Sequence, residues 1–376
     1  MTLKCTILKN DFIEGLNSLQ NITNKRGTLA ILSNVHIKTT SNGLVLTGTD
    51  LEVGLRLFVP ADISNEGSLT LPSKKIFEIV RESGSDEIII EEIENSWVTI
   101  KTGASTYNLA GMGSEEFPAF PEFDEELFTS FEAHTFLDLI DKVIFSIANE
   151  QENIYSLTSV LVEKEKKEGN SFLKMVSSDG HRLSIMEKDV AIDIDNFNLN
   201  DITLIPKKGI QELKKFCENR DTVDISFEHK QVVIRDGDAV MVIRLKQGEF
   251  PQYRAIVDAV SLDNCIKINR IPFLESLKRI NLFTEDIFHT IQLQIDGDTM
   301  VLTSQNADLG NAKDEQKVEY SGEPLTLGFN CRYFIETLQV MECETVEAYI
   351  NSNNSPCLMK SEDDKGFVSI IMPMQL

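Results

Sequence analysis

The sequence predicts an α+β protein in which one domain fold is used three times, each copy setting two helices on one face of antiparallel sheets. Three observations predict it. The segment Thr70-Leu71-Pro72-Ser73-Lys74-Lys75-Ile76-Phe77 returns as Thr203-Leu204-Ile205-Pro206-Lys207-Lys208-Gly209-Ile210, and again, more worn, as Thr326-Leu327-Gly328-Phe329-Asn330-Cys331-Arg332-Tyr333. The starts lie 133 and 123 residues apart, the length of a whole domain and too long for a solenoid unit. A second echo keeps the same register: Leu46-Thr47-Gly48-Thr49-Asp50, Met175-Val176-Ser177-Ser178-Asp179 and Leu302-Thr303-Ser304-Gln305-Asn306.

Within each third the order reads helix, strands, helix, strands. The first helices carry apolar residues at helical spacing: Phe12, Leu16 and Leu19; then Phe136, Ile140, Val143 and Ile147; then Phe273, Leu274, Leu277 and Ile280. Thr135 with Asp138 three residues on predicts a capping box for the second of these. The second helices follow the repeated Thr-Leu strand. Ser73 starts one, Pro206 stands at the first turn of the next, and Asn330 caps the last.

The strands show the two-residue alternation of a half-buried sheet, as in Val53, Leu55, Leu57 and Val59. Each third closes on a hairpin: Trp97–Thr102 with Thr106–Ala110, Gln231–Arg235 turning at Asp236-Gly237 into Ala239–Leu245, and Cys357–Lys360 with Phe367–Met372. The stretches 113–118 with Phe120-Pro121, and 248–251, are stiff Pro-containing connectors. They divide the chain into domains 1–125, 126–250 and 251–376.

With 376 residues and 41% apolar content, each third can bury a core of its own. No apolar run reaches the ~18–20 residues that span a bilayer, and the first residues have no apolar signal-peptide core. No membrane association is expected. The six cysteines make no C-x-x-C pair and read as reduced core thiols of a cytoplasmic protein. No P-loop or G-x-S-x-G motif is present, and His181 beside Asp179 has no nucleophile motif near it, so neither an enzyme nor a cofactor is expected.

The net charge of -24 argues by itself against a nucleic-acid partner. Its distribution argues otherwise. The six helical windows 9–26, 72–82, 135–148, 205–220, 270–280 and 330–341 sum to +6, so the rest of the chain carries -30. An acidic body with basic helices repels DNA on one face and tolerates it on the other.

At this point the residues resemble a family. Ser178-Asp179-Gly180-His181-Arg182-Leu183, Glu249-Phe250-Pro251-Gln252-Tyr253-Arg254, Thr49-Asp50-Leu51-Glu52-Val53-Gly54, Phe329-Asn330 and the C-terminal Met372-Pro373-Met374-Gln375-Leu376 are similar, in order and over the whole length, to the bacterial sliding clamps, the beta subunits of DNA polymerase III. The resemblance implies two chains of three clamp domains closing head to tail into a six-domain ring, helices inside. It implies that the ring encircles duplex DNA without sequence preference and tethers the polymerase, with no bond catalysed. Partners implied are the DNA polymerase III alpha subunit, the clamp loader and other proteins bearing a clamp-binding peptide, in a cytoplasmic ring that is nucleoid-associated during replication.

The resemblance further implies a peptide pocket between domains 2 and 3, made of Leu157, Ser178, Gly180, His181, Arg182, Leu183, Pro251, Ile256, Ile370, Met372, Pro373, Met374 and Leu376. It carries Lys25, Arg26, Lys74, Lys75, Gln151, Lys207, Lys208 and Arg279 onto the DNA-facing side, and Tyr107 and Leu109 with Leu282 and Phe283 onto the two halves of the dimer interface. Gln375 and Ala255 stand where members of the family carry Arg, which removes positive charge at the pocket rim. The competing expectation is an acidic scaffold that keeps the fold but neither closes into a ring nor is loaded on DNA.

Overall fold

The computed structural model describes residues 2–23, 29–149, 155–192, 194–200, 202–284, 289–306 and 308–375. Seven α-helices are present among them: α1 (Lys9–Thr23), α2 (Ser73–Glu82), α3 (Ala133–Asp141), α4 (Lys207–Cys217), α5 (Tyr253–Asp258), α6 (Arg270–Ile280) and α7 (Cys331–Val340). Six of them begin at the residue that follows a strand, with no loop between: Lys4–Leu8 runs into α1, Ser68–Pro72 into α2, Thr129–Glu132 into α3, Thr203–Pro206 into α4, Cys265–Asn269 into α6 and Leu325–Asn330 into α7. This strand-to-helix step, made twice in each third, is the structural form of the sequence repeat.

The step leaves little room for caps. Among the described residues a cap side chain acts at α7, the Asn330 side chain accepting from the Arg332 N–H at 2.9 Å. The expected capping box at Thr135 is not formed. The strand Thr129–Glu132 enters α3 directly at Ala133, which puts Thr135 inside the helix and buried. α3 also stops at Asp141, short of the expected Ile147; Val143 and Ile147 are still buried, carried by a 3-10 turn at Ile144–Ser146 and its flanks. α5, on the second connector, has no counterpart among the expected helices.

The chain packs as two compact units, residues 1–131 with 221–244, and residues 132–220 with 245–376. In the first, a five-stranded sheet ends at the edge strand Ser105–Ala110. A nine-stranded sheet is continued from the strand Val53–Pro60 by the hairpin Gln231–Asp236/Ala239–Arg244, with Val242 opposite Gly54. That hairpin pairs Asp236 with Ala239, so its two-residue loop is Gly237-Asp238, one residue later than expected. Gly237 supplies the positive φ of 54° that the turn needs. In the second unit, a twelve-stranded sheet is continuous through the pairing of Arg182–Asp189 with Phe367–Ile371. The strand pairs named here are antiparallel, and the helices pack on the sheets through apolar residues such as Phe12, Leu16, Phe136, Leu213, Phe273 and Phe334, all buried.

Five of the six cysteines are buried, and Cys265 is half-buried; all are free thiols. Burial pushes Cys5, Cys217, Cys331 and Cys357 up to about 12, which makes them inert core residues. No described helix is long and apolar enough to cross a membrane.

Candidate functional site

The residues expected in the peptide pocket lie in the second compact unit, apart from Leu376, which is outside the described residues. Their centre is the turn that follows strand Asn170–Ser178. The Ser178 hydroxyl donates to the Arg182 carbonyl at 2.7 Å and accepts from the Gly180 N–H at 3.1 Å. Asp179 Oδ1 accepts from the N–H groups of His181 and Arg182 at 2.9 and 3.0 Å. Closing the turn requires φ of +89° at Gly180, a left-handed conformation that costs glycine nothing. A side chain begun there would come within 3.9 Å of Leu157, which is buried beneath.

Arg182 holds this turn to the rest of the unit. Its Nε donates to Asp179 Oδ2 at 2.9 Å, one Nη donates to Glu336, and the other donates to the Phe145 carbonyl at 2.6 Å. The guanidinium lies 4.5 Å from the Tyr333 ring centroid and 5.3 Å from that of Phe145. A buried Arg is stable only when its donors are filled, and here carboxylates, a carbonyl and two π-faces fill them. His181, by contrast, is exposed and bonds to the turn through its backbone. Among the described residues no three His, Cys, Asp or Glu side chains are grouped to hold a metal.

The floor beside the turn is Leu183 facing Ile370 across the ladder, both buried in one apolar cluster with Leu161, Val176, Tyr253 and Leu358. The C-terminal segment crosses next to it. Met372 donates its N–H to the His181 carbonyl at 2.9 Å, and Met374 donates to the Gly328 carbonyl at 2.8 Å. Pro373 between them has no N–H to give, so both backbone bonds come from the methionines. Met372 is exposed, and Pro373 and Met374 are half-buried, so a polarizable thioether surface is left open to a partner.

Pro251 and Ile256 are exposed on the connector that carries α5. Tyr253 anchors that connector: it is buried, and its hydroxyl donates to Glu163. Burial holds the phenol up at about 12, the Glu163 carboxylate adding to this against the pull of Arg254. A cavity of about 320 Å³ opens here, lined by Leu161, Glu163, Ile202, Phe250, Pro251 and Tyr253 among others. Of the expected pocket residues only Pro251 lines it. Phe250 and Tyr253 sit in the quoted Glu-Phe-Pro stretch and could have been read from it; Glu163 and Ile202 carry no local signal.

The expected DNA-facing cations are placed on three helices. Lys74 and Lys75 are exposed on α2, Lys207 and Lys208 are half-buried on α4, and Arg279 is exposed on α6. Lys25, Arg26 and Gln151 lie outside the described residues. For the expected interface, Tyr107 and the half-buried Leu109 are on the edge strand Ser105–Ala110. Leu282 is 72% exposed and Phe283 half-buried in the 3-10 turn after α6.

Comparison with known proteins decides the family. Residues 3–121, 130–252 and 261–375 match the N-terminal, central and C-terminal domains of the DNA polymerase III beta subunit, in that order. The chain belongs to the bacterial beta sliding clamp family. The beta sliding clamp of Pseudomonas aeruginosa is 28% identical over 373 residues, 99% of each chain, and that of Chlamydia muridarum 26% identical over 374 residues, covering 100% of this chain and 99% of its own. A crystal structure of the Pseudomonas aeruginosa subunit superposes with a TM-score of 0.89 at 27% identity over 99% of this chain and 100% of that one. The C. crescentus clamp, at 24% identity and TM-score 0.92 over the full length of both chains, shares the fold. The three clamp domains are therefore those of a sliding clamp, a non-catalytic processivity factor of DNA polymerase III.

Proposed function

We propose that two copies of this chain close head to tail into a ring that encircles duplex DNA, and that the Leu183–Ile370 floor beside the Met372–Met374 segment takes short peptides of the DNA polymerase III alpha subunit, the clamp loader and other partners. The observation that carries the peptide reading is that segment: it is tied by two backbone bonds to His181 and Gly328, yet leaves Met372 open to solvent. An extended peptide laid there needs few anchors and pays for its own ordering, so affinity is modest and partners exchange.

Two strand edges support the ring. Ser105–Ala110 ends its sheet, and among the described residues 310–317 pair only with the strand Thr299–Asn306. Joining Ser105–Ala110 of one copy to 310–317 of the next satisfies both edges and covers Tyr107, Leu109, Leu282 and Phe283. The clamp domains are taken as 1–125, 126–250 and 251–376, and the working compartment is the cytoplasm, at the nucleoid during replication.

The test is retention on DNA after loading with a clamp loader and ATP. Retention on nicked circular DNA, with loss from the same DNA linearised, is the expected result. Equal retention on both forms would replace encirclement by ordinary surface binding, and none on either would favour the scaffold.

A further inference from the structure

Many of the basic groups on α2, α4 and α6 already have partners. Arg279 on α6 donates through Nε at 2.8 Å and through Nη2 at 2.6 Å to one oxygen, Oδ2 of Asp314. Asp314 comes from a different element, the strand Gly310–Glu319, and its side chain is only 22% exposed. On α2, Lys75 is paired with Glu78 at 2.6 Å. On α4, Lys214 is paired with Asp141, and Lys215 with the buried Glu212 at 2.7 Å. Lys207 donates to the Ile147 carbonyl and to Asn149 Oδ1, both at 3.2 Å.

These pairs differ in strength. Lys75 and Glu78 are one helical turn apart on the same helix, with side chains 57% and 33% exposed, so a phosphate displaces the glutamate at less cost. The Arg279 pair is forked and its acid partly buried. Burial alone would raise the Asp314 carboxyl; hydrogen bonds, those of Arg279 first and the Glu315 N–H at 2.8 Å among the rest, outweigh it and hold the carboxyl below its usual range. For Arg279 to turn its Nε–Nη2 fork onto a phosphate it must leave a half-buried carboxylate without its counter-charge.

We propose that Asp314 is a built-in brake on the DNA grip of the ring: it occupies Arg279 so that this cation screens the duplex without gripping a phosphate. The inference rests on the encircling reading above and adds to it a named residue that keeps the contact weak. A topologically closed ring stays on DNA without tight contacts, and each firm phosphate contact only slows its travel. The acid is therefore functional even though it faces an anionic partner.

The experiment measures binding of the full-length protein to a short labelled linear duplex across a salt series. The proteins are wild type, Asp314→Asn, Arg279→Ala and the double variant, with melting curves confirming that each is folded. Asp314→Asn keeps the side-chain shape and removes the charge. It is expected to tighten low-salt binding about threefold and to steepen the log-log salt slope by about one, as one added phosphate contact does. The gain should vanish in the double variant, and Arg279→Ala alone, which bares the Asp314 carboxylate to the duplex, should weaken binding by less than it does in the Asp314→Asn background. Unchanged binding by Asp314→Asn, or an equal loss from Arg279→Ala in the presence and absence of Asp314, overturns the proposal. The circular-versus-linear retention experiment reports on encirclement separately, so a failure of the brake and a failure of the ring are told apart.

Discussion

Lys142 Nζ lies 2.6 Å from Asp364 Oδ1, and both side chains are almost wholly buried. Lys142 follows α3 and Asp364 precedes the last strand, so the pair joins the second third of the sequence to the last within one compact unit. The lysine also donates to the Val340 carbonyl and sits 5.6 Å from the Phe367 ring centroid. The aspartate accepts from the N–H groups of Glu342 and Cys343 at 3.0 to 3.1 Å.

Removing the lysine leaves a buried carboxylate without its counter-charge. Lys142→Met is expected to lower stability by about 3–5 kcal/mol. The pH dependence follows from Asp364. Burial would raise its carboxyl, but Lys142 and the two N–H groups outweigh burial and hold it below the usual value. A depressed folded-state value gives stability that is whole above the unfolded carboxyl value of about 4 and is lost as pH falls through the folded one. Denaturant titrations should show the wild type and Lys142→Met differing fully at pH 7 and converging below about pH 4; a constant gap would show that the pair carries no charge.

The turn at Ser178-Asp179-Gly180 is copied in the first third by Thr49-Asp50-Leu51. Asp50 Oδ1 accepts from Glu52 and Val53 at 2.9 and 2.8 Å, as Asp179 Oδ1 accepts from His181 and Arg182. The residue at the left-handed position differs: Leu51 holds φ of +72° where Gly180 holds +89°. Leu51 is exposed and gains little from burial. Leu51→Gly should therefore raise stability by roughly 0.5–1 kcal/mol, the relief of strain exceeding glycine's entropy cost. Gly180→Ala should lower it by about 1–2 kcal/mol. Thermal melts of the two variants should move in opposite directions.

Arg182 positions the turn that borders the proposed pocket. Arg182→Ala removes three donors and two stacking contacts together. Calorimetric titration with a polymerase-derived peptide should show affinity falling at least ~10-fold, with a lower melting temperature. Glu336→Gln removes the charge from one partly exposed arm only and should cost less than about 1 kcal/mol. Equal effects from the two would mean that Arg182 does not organise the pocket.

Much of the fold was legible because the repeat carries its own register. Thr70-Leu71, Thr203-Leu204 and Thr326-Leu327 all lie in strands that run into helices. The period-two pattern of Val53 to Val59 is one strand. The errors were local, each with its own cause. Thr135 has the residue type of a cap, but a cap needs an irregular approach to the helix, and here a strand arrives directly. α5 is six residues long, too short for helical periodicity to show.

For the candidate site, Gly180, Leu183 and the terminal methionines belong to contiguous stretches and stand out in the sequence. Glu163, Ile202 and Asp314 do not. Glu163 matters because Tyr253, 90 residues away, donates to it, and Asp314 because Arg279, 35 residues away, does. Nothing in the chain order announces either pairing.

The sequence by itself determined the threefold repeat, the strand and helix alternation, the concentration of basic residues in helical windows and the place of the turn at Gly180, since each is a local pattern of residue types. Only the tertiary structure decided which distant charges meet: that Lys142 is spent on Asp364, Arg182 on Glu336, and Arg279 on Asp314. Periodicity follows from the geometry of one element, whereas an ion pair depends on two elements meeting at bonding distance, and that distance exists only once the sheets have assembled.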